Sequence, residues 1–192
     1  MGNVLHLFCS KKAQETFNNS TIEGTSLLFD EKLNEGPLTL AVFSDDFWSK
    51  RYAFFEEKYA VSRLTYFDSV IKPMLQLKDV SNYSDVILWL DFTKLSQLNL
   101  MALGFYLAEN YSKNTSYYLV CSGKHQGKKE LQELTNYSFS EFPVLYSYKV
   151  KITLPNLEFL QQCWKAYITK QTDFKFNLYP NKFRYLQLHF NN

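Results

Sequence analysis

DVILWLDFTKLSQLNLMALGFYLAENY, residues Asp85–Tyr111, holds an apolar run, a short polar step and a long apolar-striped helix in one stretch. Val86, Ile87, Leu88, Trp89 and Leu90 are consecutive and apolar, with no polar alternation. A strand sheltered on both faces has this pattern, and such strands belong to parallel sheets covered by helices. Asp91 ends the run. The Thr93 hydroxyl can then accept an orphan backbone N–H from the first turn of a helix. Leu95, Leu98, Ala102 and Phe105 follow at helical spacing, and Leu103 and Leu107 widen the stripe, so the helix is expected to be well buried. Strand, carboxylate and helix start in this order place Asp91 at the carboxyl edge of a sheet, where open α/β sheets bind ligands. The plainer account of Asp91 is that it caps the neighbouring helix.

The rest of the chain alternates in the same way. Val4–Phe8 and TSLLF (residues 25–29) read as strands, and Ala13–Phe17 as a short helix between them. Asn34, Glu35, Gly36 and Pro37 form a turn, because glycine permits positive φ and proline holds its own φ fixed. Asp45, Asp46, Phe47, Trp48, Arg51, Tyr52, Phe55 and Tyr59 describe an amphipathic helix with an acidic start that suits the helix dipole. Ser69–Val80 reads as a further helix started or kinked near Pro73. Ser116–Cys121 is the next strand, Lys128–Leu134 a short helix, and Val144–Ile152 an alternating edge strand. Pro155, Leu157, Leu160, Trp164 and Tyr167 mark a clear helix. The pattern predicts an α/β fold with a mostly parallel central sheet flanked by helices, a Rossmann-like three-layer arrangement. Residues 1–154 would carry the α/β unit. Residues 155–192, a helix and an aromatic C-terminal segment, would pack on it as part of the same domain.

Composition narrows the function classes. A chain of 192 residues is long enough for one domain with a proper core. The net charge of +2 implies no polyanionic partner on its own. The three cysteines, Cys9, Cys121 and Cys163, are odd in number and show no paired spacing, no CxxC and no Cys/His cluster, which argues against structural zinc and suits a reducing cytosol. The apolar run near the N-terminus is too short for a signal peptide. His6 stands where a myristoylation signal after Gly2 has Ser or Thr. No segment approaches the roughly 20 apolar residues that span a bilayer, so no membrane partner is expected.

In a parallel sheet the carboxyl edge collects Cys9 and Ser10, Asp30, Asp91, and Ser122 with Gly123. Carboxylates there can hold a divalent cation or divide acid and base roles, and glycine lets backbone approach a ligand. Loops after buried strands are also polar simply because their backbone is solvated. The loop Ser122-Gly123-Lys124-His125-Gln126-Gly127 offers phosphate-binding chemistry but lacks both GxxxxGK[ST] and GxGxxG. His6, inside a β run, reads as a hydrogen-bonded core histidine and His125 as exposed. No Ser/His/Asp or Cys/His arrangement can be assembled. From Lys165 onward, Lys170, Lys175, Lys182 and Arg184 interleave with Tyr167, Phe174, Phe176, Tyr179, Phe183 and Tyr185, as in single-strand nucleic-acid binders. The plainer account packs those rings on the sheet and leaves the lysines in water.

At three places the sequence resembles one family, the uncharacterised bacterial proteins grouped as domain of unknown function 1835. That family begins with a strand carrying a Leu-His pair, here Leu5-His6. It continues with a strand, an Asp and a His-Glu-Gly-Pro turn, here LLFDEKLNEGP with Asp30, Glu35, Gly36 and Pro37. An apolar strand ending in Trp plus one residue then leads to a Gln-Leu helix start, here with Trp89, Asp91, Gln97 and Leu98. The strand and loop LVCSGKHQG and the Trp164 helix also fit. Asn34 replaces the family's turn His. Phe92, Thr93 and Ser96 replace a His and two Asp, and Cys9-Ser10 replaces Gly-Asp. If those polar residues form an active site in relatives, this chain has lost much of it.

The resemblance implies an α/β domain, a diverged and short member of the family, without an assigned activity or cofactor. The leading expectation is a cytosolic ligand-binding or degenerate enzyme-like domain. Its candidate ligand residues are Ser10, Asp30, Glu35, Gly36, Asp91, Gln97, Ser122 and Gly123, and its ligand a small or phosphate-bearing molecule. The alternatives are a metal- or phosphate-dependent hydrolase or nucleotide-processing enzyme using Asp30, Asp91 and Glu35, and nucleic-acid binding through the basic aromatic C-terminal segment. Oligomeric state, cofactor and substrate are not indicated.

Overall fold

The computed structural model describes residues 3–124 and 130–190. The sequence forms a five-stranded sheet from β1 (Val4–Phe8), β2 (Thr25–Leu28), β3 (Asp85–Leu90), β4 (Ser116–Cys121) and β5 (Val150–Ile152), in the order β2-β1-β3-β4-β5. β1 to β4 are parallel, with Leu5 beside Val86 and Leu88 beside Leu119, and β5 runs antiparallel to β4. The strand order reverses between β1 and β3, so the sheet is doubly wound.

Alternation along the central strands decides which residue faces which layer. Leu5, Leu7, Val86, Leu88 and Leu90 enter one core, with the helices α2 (Asp45–Tyr59), α5 (Lys94–Glu109) and α7 (Leu154–Ile168). Phe8, Ile87, Trp89 and Val120 enter the other, with α1 (Lys11–Asn18) and α6 (Phe142–Ser147). Sheet and helices on both faces make three layers. α5 is buried almost all round because it lies between the sheet and α7. Gly104 permits that approach: a Cβ there would fall 2.5 Å from the Leu160 Cβ on α7. Residues 155–190 share the main core through Leu157, Trp164, Phe176, Phe183 and Phe190. Among the described residues no helix is long and apolar enough to cross a membrane.

Three elements differ from the expectation. Val144–Ile152 is not one strand: α6 runs to Ser147 and only Val150–Ile152 pairs. Pro143 opens that helix, and Phe142 and Leu145, three apart, bury into the Trp89 core, so helical packing overrides the alternation. Ser69–Val80 belongs to a longer irregular helical segment made of α3 (Arg63–Tyr66), a π turn (Phe67–Ile71), α4 (Lys72–Leu75) and a 3₁₀ stretch (Gln76–Asn82). Pro73 supplies no N–H and its ring crowds the carbonyl four residues back, which favours the wider π turn before it. Of Lys128–Leu134, residues 128–129 lie outside the described residues. The remainder is loop leading into a 3₁₀ turn at Leu134–Asn136.

Candidate functional site

Residues at the ends of the parallel strands gather along the carboxyl edge, yet they do not share one pocket. Ser10 caps α1, its Oγ accepting from the Ala13 N–H at 3.4 Å. Asp91 is 7% exposed and fully engaged. Its Oδ1 accepts from the Thr93 N–H at 3.0 Å and from the Thr93 hydroxyl at 2.6 Å, and its Oδ2 accepts from the Leu134 N–H at 3.3 Å. The Thr93 Oγ1 in turn caps α5 through Ser96. Asp91 therefore ties the end of β3 to the start of α5 and to the Leu134 turn. Gln97 donates to the Asp91 carbonyl at 2.6 Å, leaving its Oε1 buried without a partner among the described residues.

Asp30, Glu35 and Gly36 belong to the α2 side of the molecule. Asp30 is exposed and borders a cavity of about 260 Å³ with Lys32, Phe55, Tyr59, Tyr66 and Val70. The Glu35 carboxylate takes Lys58 Nζ and the Tyr59 hydroxyl, both at 2.5 Å, and the Lys58 ammonium holds it below the usual carboxylate range. Gly36, at φ +72, lies against the Phe54 ring, where a side chain would not fit. Among the described residues no group of three His, Cys, Asp or Glu side chains is placed to hold a metal ion.

An ion pair beneath this region is the polar feature that sequence reasoning missed. Arg51 and Glu31 are both fully buried. Arg51 Nε donates to Glu31 Oε1 at 2.7 Å, Nη2 pairs with the same oxygen, and the Tyr66 hydroxyl donates to Oε2 at 2.6 Å. Remaining guanidinium N–H groups take the carbonyls of Lys32, Glu35 and Pro37, so the loop after β2 is wrapped around Arg51. Burial pushes the Glu31 carboxyl up, against the Arg51 charge that favours its ionised form. The signal was present: Arg51 lies midway between Phe47 and Phe55 on the apolar stripe of α2, and a cation there demands a buried acid.

The end of β4 opens into a different environment. A cavity of about 330 Å³ is lined by Ser122, Gly123, Lys124, Asn181, Lys182 and Arg184, with Leu119, Leu145 and Val150 on its apolar side. Two separate sequence signals, the Ser122-Gly123-Lys124 loop and the basic C-terminal segment, meet here. Tyr185 makes the join: its Oη accepts from the Lys124 N–H at 2.8 Å, 61 residues away. A Cβ on Gly123 would lie 2.1 Å from that oxygen, so glycine is required for the close approach. Ser122 donates to the Gln132 carbonyl at 3.1 Å, and the Gln132 N–H bonds the Gly123 carbonyl at 2.9 Å, which holds the loop in place. His125, Gln126 and Gly127 lie outside the described residues.

Three cations face this cavity, and among the described residues none of them is in an ion pair. Lys182 Nζ spends two donors, on the Lys151 carbonyl at 2.8 Å and Asn156 Oδ1 at 2.9 Å, and keeps a third. The Arg184 guanidinium lies 5.5 Å from the Tyr185 ring centre. Cys121 ends β4 beside it. Burial pushes that thiol up to about 12, the Asp91 charge adds to this, and Arg184 pulls it back. Burial likewise raises Cys9, whose thiol lies beside the fully buried Asn99 amide. At both cysteines burial thus disfavours the thiolate form.

Of the C-terminal rings, Tyr167, Phe174 and Tyr179 are partly buried against the main core. Phe176, Phe183 and Tyr185 are buried and give no open surface themselves. α8 (Leu186–Phe190) instead crosses the carboxyl edge, with His189 Nε2 donating to the Phe92 carbonyl at 2.7 Å. Comparison with family models, curated proteins and solved structures finds no match to this chain.

Proposed function

We propose that this chain is an α/β ligand-binding domain that takes a small anionic molecule, a phosphate-bearing one in the first instance, at the carboxyl end of β4. The observation that supports this reading is the meeting of Lys124, Lys182 and Arg184 around one cavity at the sheet edge, without acidic partners among the described residues. The volume lies in the range of small-molecule sites, and a few convergent polar groups on an apolar wall are what such sites need. Guanidinium and ammonium groups recognise phosphate and carboxylate by charge-assisted hydrogen bonds. Among the described residues no carboxylate lines the cavity to oppose an anion, which supports charge-assisted binding as its role.

The proposal includes a cytosolic setting, supported by three free cysteines, and descent from the domain of unknown function 1835 family. Two motifs that carry that resemblance touch one another in the core: Trp89 Nε1 donates to His6 Nδ1 at 3.0 Å. Those motifs then mark the fold, and the relatives' polar positions that are substituted here are no part of the β4 site.

The test is a thermal-shift and calorimetric titration with inorganic phosphate and pyrophosphate at low salt. Saturable binding is expected, weakened at least about tenfold by Arg184→Glu and again by raised ionic strength. Absence of binding, or equal binding by Arg184→Glu, contradicts the proposal.

A further inference from the structure

A second cavity, of about 640 Å³, shares no lining residue with the one at the end of β4. It is bordered by Asp45, Trp48 and Tyr52 of α2 and by Arg63, Phe67 and Ile71 of the irregular segment after it. The π turn Phe67–Ile71 forms one wall, and such turns are frequent at functional sites because they re-aim side chains. Phe67 is 41% exposed, an unusual cost for a phenyl ring with a core at hand. The Trp48 indole is braced rather than loose. It stacks on Phe43 with centroids 5.0 Å apart and planes 15° apart, and Phe47 meets it edge-on at 4.9 Å. Phe55 and Tyr66, stacked at 5.6 Å, belong to the small separate core under this seam.

Charge is distributed along the cavity in a definite order. Asp45 opens α2, and Tyr52 lies seven residues on, about 10 Å along the helix axis. At the Tyr52 end the phenol donates to the Glu56 carboxylate, which raises its pKa, and the nearby Arg63 charge opposes that rise. Asp45 and Arg63 are both exposed, and among the described residues neither is in an ion pair. The slot thus offers an acceptor carboxylate, then aromatic walls, then a guanidinium.

We infer that this cavity binds a planar nitrogen heteroaromatic joined to an anionic group, the class to which nucleoside monophosphates belong. The ring lies between Trp48 and Phe67, where stacking on a rigid aromatic surface contributes without sequence-like specificity. Ring or exocyclic N–H groups donate to Asp45. The anion, held about 10 Å away by the length of the ligand, takes a paired hydrogen bond from Arg63. The site is independent of the β4 cavity and stands whether or not that one binds phosphate.

Tryptophan fluorescence tests this directly, since Trp89 and Trp164 are fully buried and Trp48 alone of the three borders the cavity. Titration of the whole protein with adenosine monophosphate should quench the emission saturably below about 1 mM. Arg63→Glu should weaken the affinity about tenfold or more, adenosine should bind less tightly than the monophosphate, and Trp48→Phe should abolish the quenching. Arg184→Glu, at the other cavity, should leave the titration unchanged. No saturable quenching, full quenching retained in Trp48→Phe, unchanged affinity in Arg63→Glu, or loss of the titration in Arg184→Glu would each overturn the inference.

Discussion

Trp89 on β3 donates its indole N–H to Nδ1 of His6 on β1, at 3.0 Å, across the point where the strand order reverses. Indole nitrogen only donates, so Nδ1 must be the unprotonated nitrogen, and Nε2 carries the hydrogen that it gives to the Glu23 carbonyl at 3.1 Å. Both ring nitrogens are thereby committed in the neutral tautomer. A proton on Nδ1 would confront the indole N–H.

His6 consequently makes folding pH-dependent. Burial lowers its pKa from 6.5 to about 4, with Lys149 acting in the same direction and the Glu23 carbonyl and Asp85 opposing it. The folded value lies below the unfolded one, so the stabilisation is complete above pH about 6.5 and is lost as pH falls towards 4. The loss over that window is about 3 kcal/mol from this residue. Urea melts across pH 4 to 7 should show that slope, and His6→Gln should flatten it. An equal slope in the variant would mean that other groups carry the acid sensitivity.

Arg51→Met should be among the most damaging single changes. It leaves Glu31 buried without its counter-charge, at a cost of about 3–5 kcal/mol. Adding Glu31→Leu removes the orphaned carboxylate, so the double variant should be more stable than Arg51→Met alone. Denaturant unfolding of the wild type, Arg51→Met, Glu31→Leu and the double variant checks this, and additive losses would show that the pair is not coupled.

Gly104→Ala tests how α5 seats on α7. A methyl group there would enter the Leu160 side chain, and the helices must part to accept it. The expected loss is about 1–3 kcal/mol, although alanine is by itself the better helix former. Denaturant unfolding of the wild type and Gly104→Ala checks this, and equal stability would show that the two helices part without cost.

Asp91→Asn separates structure from recognition. An amide keeps an acceptor for Thr93 but offers N–H where the Leu134 N–H needs an oxygen. Melting temperature should drop, by about 1–2 kcal/mol in stability, with phosphate affinity at the β4 cavity unchanged. A loss of affinity at unchanged stability would return Asp91 to the ligand site.

Much of the architecture was legible because the signals were local. Five unbroken apolar residues at Val86–Leu90 announced a covered parallel strand, and Thr93 announced the start of α5. The Val144–Ile152 error was local too: period-two alternation and a Pro-initiated helix competed, and burial of Phe142 and Leu145 decided between them. The candidate site was legible only in halves. Ser122 and Gly123 were singled out at a strand end, and Lys182 and Arg184 as a basic segment. Their meeting depends on Tyr185 reaching the Lys124 amide, a contact that no local pattern encodes. Asp30, Glu35 and Asp91 looked alike in sequence, since an acid after a strand reads the same whether it caps, bridges or stays free. Only packing shows Asp91 enclosed, Glu35 latched to Lys58 and Asp30 exposed.

A backbone amide NMR titration with pyrophosphate is the most direct test of anion binding at the end of β4. Saturable shifts are expected at Gly123, Lys124, Lys182 and Arg184, with Asp30, Lys32 and Tyr59 unmoved. Shifts centred on Asp30 and Tyr59, or none at all, would contradict it.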